Sequence, residues 1–368
     1  MQIMIKLLKL VLINILVFLG VLILLNLAVI SVYKLYFLIN LPDHRRELPN
    51  YKNISWACTH FKEFGELRSE YRSYVGWRRF PYKGQTINID KQGIRITPQS
   101  ESATEKSPLV VFTGGSAMWG TGADDANTIP ALFAKIAQGR YRVINLADSG
   151  YTAFQGYLFL KLQMINGLKP DIVVSYDGVN DATILQPGLR PFGHQRDEQI
   201  REAMSGKDTL SFSNIFLYSL KYAFYKYKNY KKDTVIKANN SNEPSPERIE
   251  QTAKALLEGW LSTKDLAEKQ GADFIGILQP NPAMGKPNLT YLKLNKDLLN
   301  YDKLLYPAVL KLLQTPKYKD LANKVIILTD IFDSKEPIYI DEYHVSPNGN
   351  KIVAQKIYDY IINSVDSR

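Results

Sequence analysis

Five short apolar runs, separated by stretches of helical periodicity, constrain this chain of 368 residues more than any other feature. Pro108-Leu-Val-Val-Phe112, Tyr141-Arg-Val-Ile144 and Asp171-Ile-Val-Val-Ser175 are too short for helices and rich in β-branched residues. Between the first two, Ile129, Leu132, Phe133 and Ile136 recur at the spacing of one helical face. A strand that is apolar without alternation must be buried on both sides. Such strands alternating with helices predict an α/β architecture, a mainly parallel sheet covered on both faces. The pattern predicts strands over 109–113, 141–146, 171–176, 273–278 and 324–329. It predicts helices over 128–138, 155–166, 247–270, 292–313 and 347–362, the last with Pro347 in its first turn.

In a sheet of this kind the functional loops gather at the carboxyl ends of the strands. The loop after the first strand reads Thr113-Gly-Gly-Ser116, the second Asn145-Leu-Ala-Asp-Ser-Gly150-Tyr-Thr, and the third Tyr176-Asp-Gly-Val-Asn180-Asp181. Beyond the fifth strand stands Asp341-Glu-Tyr-His344. An acid and a histidine three residues apart meet through a tight turn. The carboxylate then holds Nδ1–H of the imidazole and leaves Nε2 free to take a proton from a hydroxyl such as that of Ser116. Stabilising the oxyanion of a tetrahedral intermediate needs donors besides. The backbone N–H groups of Ser116 and Gly150 and the Asn180 amide are the candidates. Each motif alone has a plainer reading: a βα turn, a loop glycine with positive φ, a helix N-cap. Their conjunction, in this order, points to acyl-ester chemistry.

These four blocks resemble those of the SGNH hydrolases, the GDSL-like esterase and lipase superfamily: Gly-Gly-Ser116, Ser-Gly150-Tyr-Thr, Gly-Val-Asn180-Asp and Asp341-x-x-His344. The resemblance covers about residues 106–365. It implies a three-layer α/β/α sandwich of flavodoxin-like type around a five-stranded sheet. It also implies Ser116 as nucleophile, His344 as base, Asp341 as orienting acid, and Gly150 and Asn180 as oxyanion donors, with no metal and no cofactor. Gly115 departs from the Gly-Asp-Ser of the best-known members. The tail His344-Val-Ser-Pro-Asn-Gly349 is similar to that of many members, where a helix starts just after the base.

Residues 10–33 carry no charge and, at about 1.5 Å per residue, are long enough to span a bilayer. The stretch exceeds the usual apolar region of a cleaved signal, so residues 1–40 are expected to be a retained transmembrane signal anchor. Lys6 and Lys9 precede it and Lys34, Arg45 and Arg46 follow it, so the charge rule does not fix its direction. The short tail and the resemblance to membrane-anchored members favour an extracytoplasmic catalytic domain. Residues 41–105 are expected to form a membrane-proximal region, with 71–81 irregular, a hairpin around 90–93 and a linker over 98–107. The domain 106–368 carries an extra stretch at about 185–245. Its Tyr- and Lys-rich run 218–232 suits either a lid over the active-site mouth, gripping sugars, or an exposed amphipathic helix.

A net charge of +10 favours an anionic membrane surface or polymer; no nucleic-acid module is present. Cys58, alone, excludes an intramolecular disulfide. His44, His60 and His194 fit no role in the site. The substrate expected is an acyl ester, with O-acyl groups (O-acetyl among them) of a cell-envelope polysaccharide suggested by location and family analogy. Two alternatives stay open: an O-acyltransferase using the same acyl-enzyme, and a non-catalytic glycan-binding or assembly protein retaining the fold.

Overall fold

The computed structural model describes residues 1–40, 43–205 and 243–365. The chain divides into two compact units, one of residues 1–42 with 199–242, the other of residues 43–198 with 243–368. In the first, α1 (Gln2–Asn40) is one continuous helix. Its residues 2–32 are long and apolar enough to cross a membrane, with side chains exposed nearly throughout. The Tyr- and Lys-rich run 218–232 lies outside the described residues.

The second unit is built on a sheet of β5 (Leu109–Gly114), β6 (Arg142–Asn145), β7 (Ile172–Asp177), β8 (Asp273–Leu278) and β9 (Val325–Ile327). The order is β6-β5-β7-β8-β9 and every pair is parallel. Successive side chains point to opposite faces, and two cores result. Val110, Phe112, Val174 and Ile275 pack under α4 (Ile129–Ile136) and α11 (Pro347–Ser364). Val111, Val173 and Phe274 pack under α5 (Ala153–Ile165), α8 (Pro246–Glu268) and α9 (Lys296–Leu313). The three-layer α/β/α sandwich expected from the sequence is present.

Residues 292–295, expected to be helical, precede α9. Asn295 caps it instead, its side chain accepting from the Asp297 N–H. Residues 71–81, expected to be irregular, contribute a hairpin of β1 (Ser69–Arg72) and β2 (Gly76–Arg79), antiparallel with Arg72 opposite Gly76. Two features hid it. The turn uses Tyr74 at φ 70° rather than an Asn-Gly pair, and an inward position is filled by Arg78, fully buried and donating to the carbonyls of Leu146 and Gly93. The expected hairpin around 90–93 forms, with Ile89 bridged to Arg95.

Arg95 bridges in turn to Asn145, so the segment before the first parallel strand lies along the β6 edge of the sheet. Gln99 extends this cover, its side-chain amide accepting from the Val143 N–H and donating to the Val143 carbonyl, both at 2.8 Å. An edge that would otherwise offer unpaired backbone groups is thereby closed.

Candidate active site

Ser116 sits where β5 ends and a single helical turn, α3 (Ser116–Trp119), begins. It is partly exposed while Thr113, Gly114 and Gly115 before it are buried. The glycine before the serine follows from a close approach. A Cβ on Gly115 would overlap the Asn180 Nδ2, so this turn admits no side chain there. The same contact draws the third loop against the first.

His344 lies in a loop closed by the bridge between Tyr339 and Val345 and by Ile340 donating to the His344 carbonyl. Asp341 shapes the turn from within: its Oδ1 accepts from the backbone N–H of Tyr343 at 2.9 Å and of His344 at 2.8 Å. His344 Nδ1 is 2.8 Å from each carboxylate oxygen, and Nε2 is 2.7 Å from Ser116 Oγ, across 228 positions of sequence. Burial alone would raise the Asp341 carboxyl. The charge and hydrogen bond of His344, with the Arg45 guanidinium, instead hold it well below the usual carboxylate range. The group is an anion, able to steady an imidazolium. Such a line of three groups is suited to nucleophilic attack by a hydroxyl with a proton relayed through the imidazole.

The candidate donors flank Ser116. Gly150 is at φ 82°, a region costly for other residues. Any Cβ there would press on Gln195 and Trp77, at 3.0 and 3.2 Å. The backbone N–H groups of Ser116 and Gly150 donate to no partner among the described residues. Asn180 is on α6 (Val179–Thr183), and its Nδ2 gives one hydrogen to the Tyr151 carbonyl at 2.9 Å, leaving the second.

Gln195 was not singled out in the sequence. Its Nε2 donates to Asn180 Oδ1 at 3.2 Å and to Thr183 Oγ1 at 2.8 Å. Because that oxygen accepts, the amide keeps its nitrogen toward the Tyr151 carbonyl and Gly115. No sequence signal marks it; it lies in the stretch expected to overhang the site. Arg45, also unmarked, donates to Asp341 Oδ2 at 2.9 Å.

Beneath the site a buried chain runs from Thr113 Oγ1 to Ser175 Oγ at 3.1 Å and on to Asp177 Oδ2 at 2.6 Å, which also accepts from Trp260 Nε1 at 2.8 Å. Burial raises the carboxyls of Asp177 and, with the neighbouring charge of Asp177 added, Asp181 above the ordinary range. The remaining histidines stand elsewhere. His60 packs among Trp56, Phe61 and Phe64, and burial, with Arg95 and Arg45, pushes it down to about 2. His194 packs edge-on to Trp77 with Nε2 3.1 Å from Asp197. His44 is exposed beside Glu47. Among the described residues no group of three or more His, Cys, Asp or Glu side chains is arranged to hold a metal ion.

No protein-family model and no curated protein matches the chain. Among solved structures it is similar to a GDSL-like lipase from Bacteroides thetaiotaomicron, at 14% identity and a TM-score of 0.39, over 72% of this chain and 92% of that one. It is similar to a carbohydrate acetylesterase family member from Sinorhizobium meliloti, at 13% identity and 0.39, over 69% and 97%. A psychrotrophic esterase from Pseudoalteromonas sp. is similar at 11% identity and 0.40, over 71% and 100%. Likenesses of this size carry no argument about the site, whose reading rests on its own distances.

Proposed function

We propose that this protein is a serine hydrolase of carboxylic esters. The reading is carried by one observation, the unbroken hydrogen-bonded line from Asp341 through His344 to Ser116 Oγ. Ser116 Oγ attacks the ester carbonyl carbon while His344 Nε2 takes its proton. The negative charge that develops on the carbonyl oxygen is met by the N–H groups of Ser116 and Gly150 and by Asn180 Nδ2. Each such donor contributes about 3–4 kcal/mol when deleted singly. As the C–O bond breaks, Nε2 hands its proton to the departing alcohol, leaving the acyl group on Ser116. Water then attacks the acyl carbon, gives its proton to Nε2 and releases the acid, and the proton returns to Ser116. Asp341 stays ionised throughout.

The substrate class proposed is O-acyl groups, O-acetyl among them, on a cell-envelope polysaccharide, with α1 as membrane anchor and the catalytic unit outside the cytoplasm. A net charge of +10 and the Arg196 side chain stacked on Trp77, which donates to the Ser149 carbonyl, favour an anionic polymer over a neutral lipid. The test is acetate release from an O-acetylated anionic polysaccharide by the full-length protein and by Ser116→Ala. Release by the first and not the second supports the reading. Equal release, or none from the wild type on any acyl ester, contradicts it. Acetyl appearing on an added oligosaccharide instead of in water assigns the same acyl-enzyme to transfer.

A further inference from the structure

Asp341 is held on its outer side by a residue outside all four motif blocks. Arg45 lies in a 3-10 turn (His44–Glu47), five positions beyond the end of α1 in sequence. Asp43 grips two nitrogens of its fork, Nε at 3.0 and 3.2 Å and Nη2 at 2.6 Å. That leaves Nη1 to donate to Asp341 Oδ2 at 2.9 Å, across 296 positions. The rings of Phe61 and Phe64 close over the guanidinium, 5.1 and 5.4 Å from Cζ. Exposed ion pairs contribute little. Here both side chains are only 21% exposed and the donor is oriented by a second carboxylate and two rings.

Building on the serine-hydrolase reading, we propose that Arg45 is a positioning residue for the reaction. It clamps the Asp341 carboxylate so that His344 stays in line with Ser116, and the triad is complete only when the segment following α1 is folded onto the catalytic unit. The geometry divides the work between the two oxygens. Oδ1 is fixed by the two backbone N–H groups of its own turn. Oδ2 has Arg45 as its partner besides the imidazole. Without that bond Oδ2 keeps only the imidazole as partner, and the side of the carboxylate away from its own turn loses its restraint.

The clamp also sets the charge that the imidazole meets. The charged or titratable groups around Asp341 are Arg45 and Asp43 from the 3-10 turn, Tyr51 from the next turn, and Tyr343, Glu342 and His344 from its own loop; His60 of α2 (Ala57–Glu66) faces Arg45. Arg45 is the cation that offsets the carboxylate. Its loss leaves that negative charge without its cation.

The experiment uses the full-length protein in detergent. The proton shared between His344 Nδ1 and Asp341 is read as a low-field NMR resonance, assigned by its loss in His344→Asn, and this needs no turnover. In parallel, the rate of Ser116 labelling by a fluorophosphonate is followed. Arg45→Gln is expected to displace the resonance and slow labelling roughly tenfold to a hundredfold. Arg45→Lys keeps the charge without the fork, so it should recover only part of the rate. An unaltered resonance and an unaltered labelling rate in a folded Arg45→Gln protein would overturn the clamp. A displaced resonance in a protein whose Ser116 never labels would keep the clamp and overturn the hydrolase reading.

Discussion

At the scale of single residues, Gly115 is the most sensitive position after the reacting groups. A Cβ there would overlap Asn180 Nδ2, so Gly115→Ala must displace that amide. If Asn180 is the oxyanion donor proposed above, the expected result is a kcat lower by about a hundredfold or more, with little change in KM. Steady-state kinetics on a small acetyl ester checks this. Gln195→Ala acts on the same amide from behind. It removes the donor that holds Asn180 Oδ1, and a smaller fall in kcat is expected, partly restored by Gln195→Asn if the shorter amide still reaches. Ser116, His344 and Asp341, which come together, are each announced locally, by a glycine turn after a buried strand or by an acid three positions before a histidine. Gln195 and Arg45 were not legible. What they do is decided by partners 15 and 296 positions away, and nothing in their own neighbourhoods records it.

At the scale of elements, the carboxyl end of β7 carries the site on a buried acidic support. Asp177 and Asp181 have their carboxyls raised by burial, so the native state retains protons that the unfolded chain has lost. Stability from this source is present below about pH 4 and falls as pH rises through the raised native values. Asp177→Asn keeps an oxygen for Ser175 and Trp260 and cannot ionise. Its unfolding free energy is expected to decline less between pH 4 and 7 than that of the wild type, as urea titrations at several pH values would reveal. An identical slope in the two proteins would mean that Asp177 is not protonated in the native state. The central elements could be read because β5, β7 and β8 are apolar on both faces, a pattern few other structures satisfy. The β1–β2 hairpin could not, because its buried position is Arg78, whose charge is accommodated by carbonyls that only the folded sheet assembles.

For the molecule as a whole, Ser116 and His344 meet across 228 positions of sequence, and Arg45 reaches Asp341 across 296. Deleting residues 1–40 removes α1 and leaves Asp43, Arg45 and all of the motif residues, so a soluble protein that still reacts with serine-directed probes is expected. Deleting residues 1–48 removes the Arg45 clamp as well, and a large loss of reactivity is expected although every motif residue remains. Reactivity equal in the two truncations would count against any part for the segment after α1. The order of strands and helices was readable from periodicity; the docking of residues 95–99 along β6 was not, since it rests on one isolated backbone bridge at Arg95 and on the Gln99 side chain, which looks like a surface residue in sequence. The pairing of Ser116 with His344 is tested most directly by peptide mapping by mass spectrometry after treatment with a fluorophosphonate. A phosphonyl group is expected on the peptide containing Ser116 and on no other serine, lost in His344→Ala. A folded protein that stays unmodified, or one modified at a different serine, would contradict it.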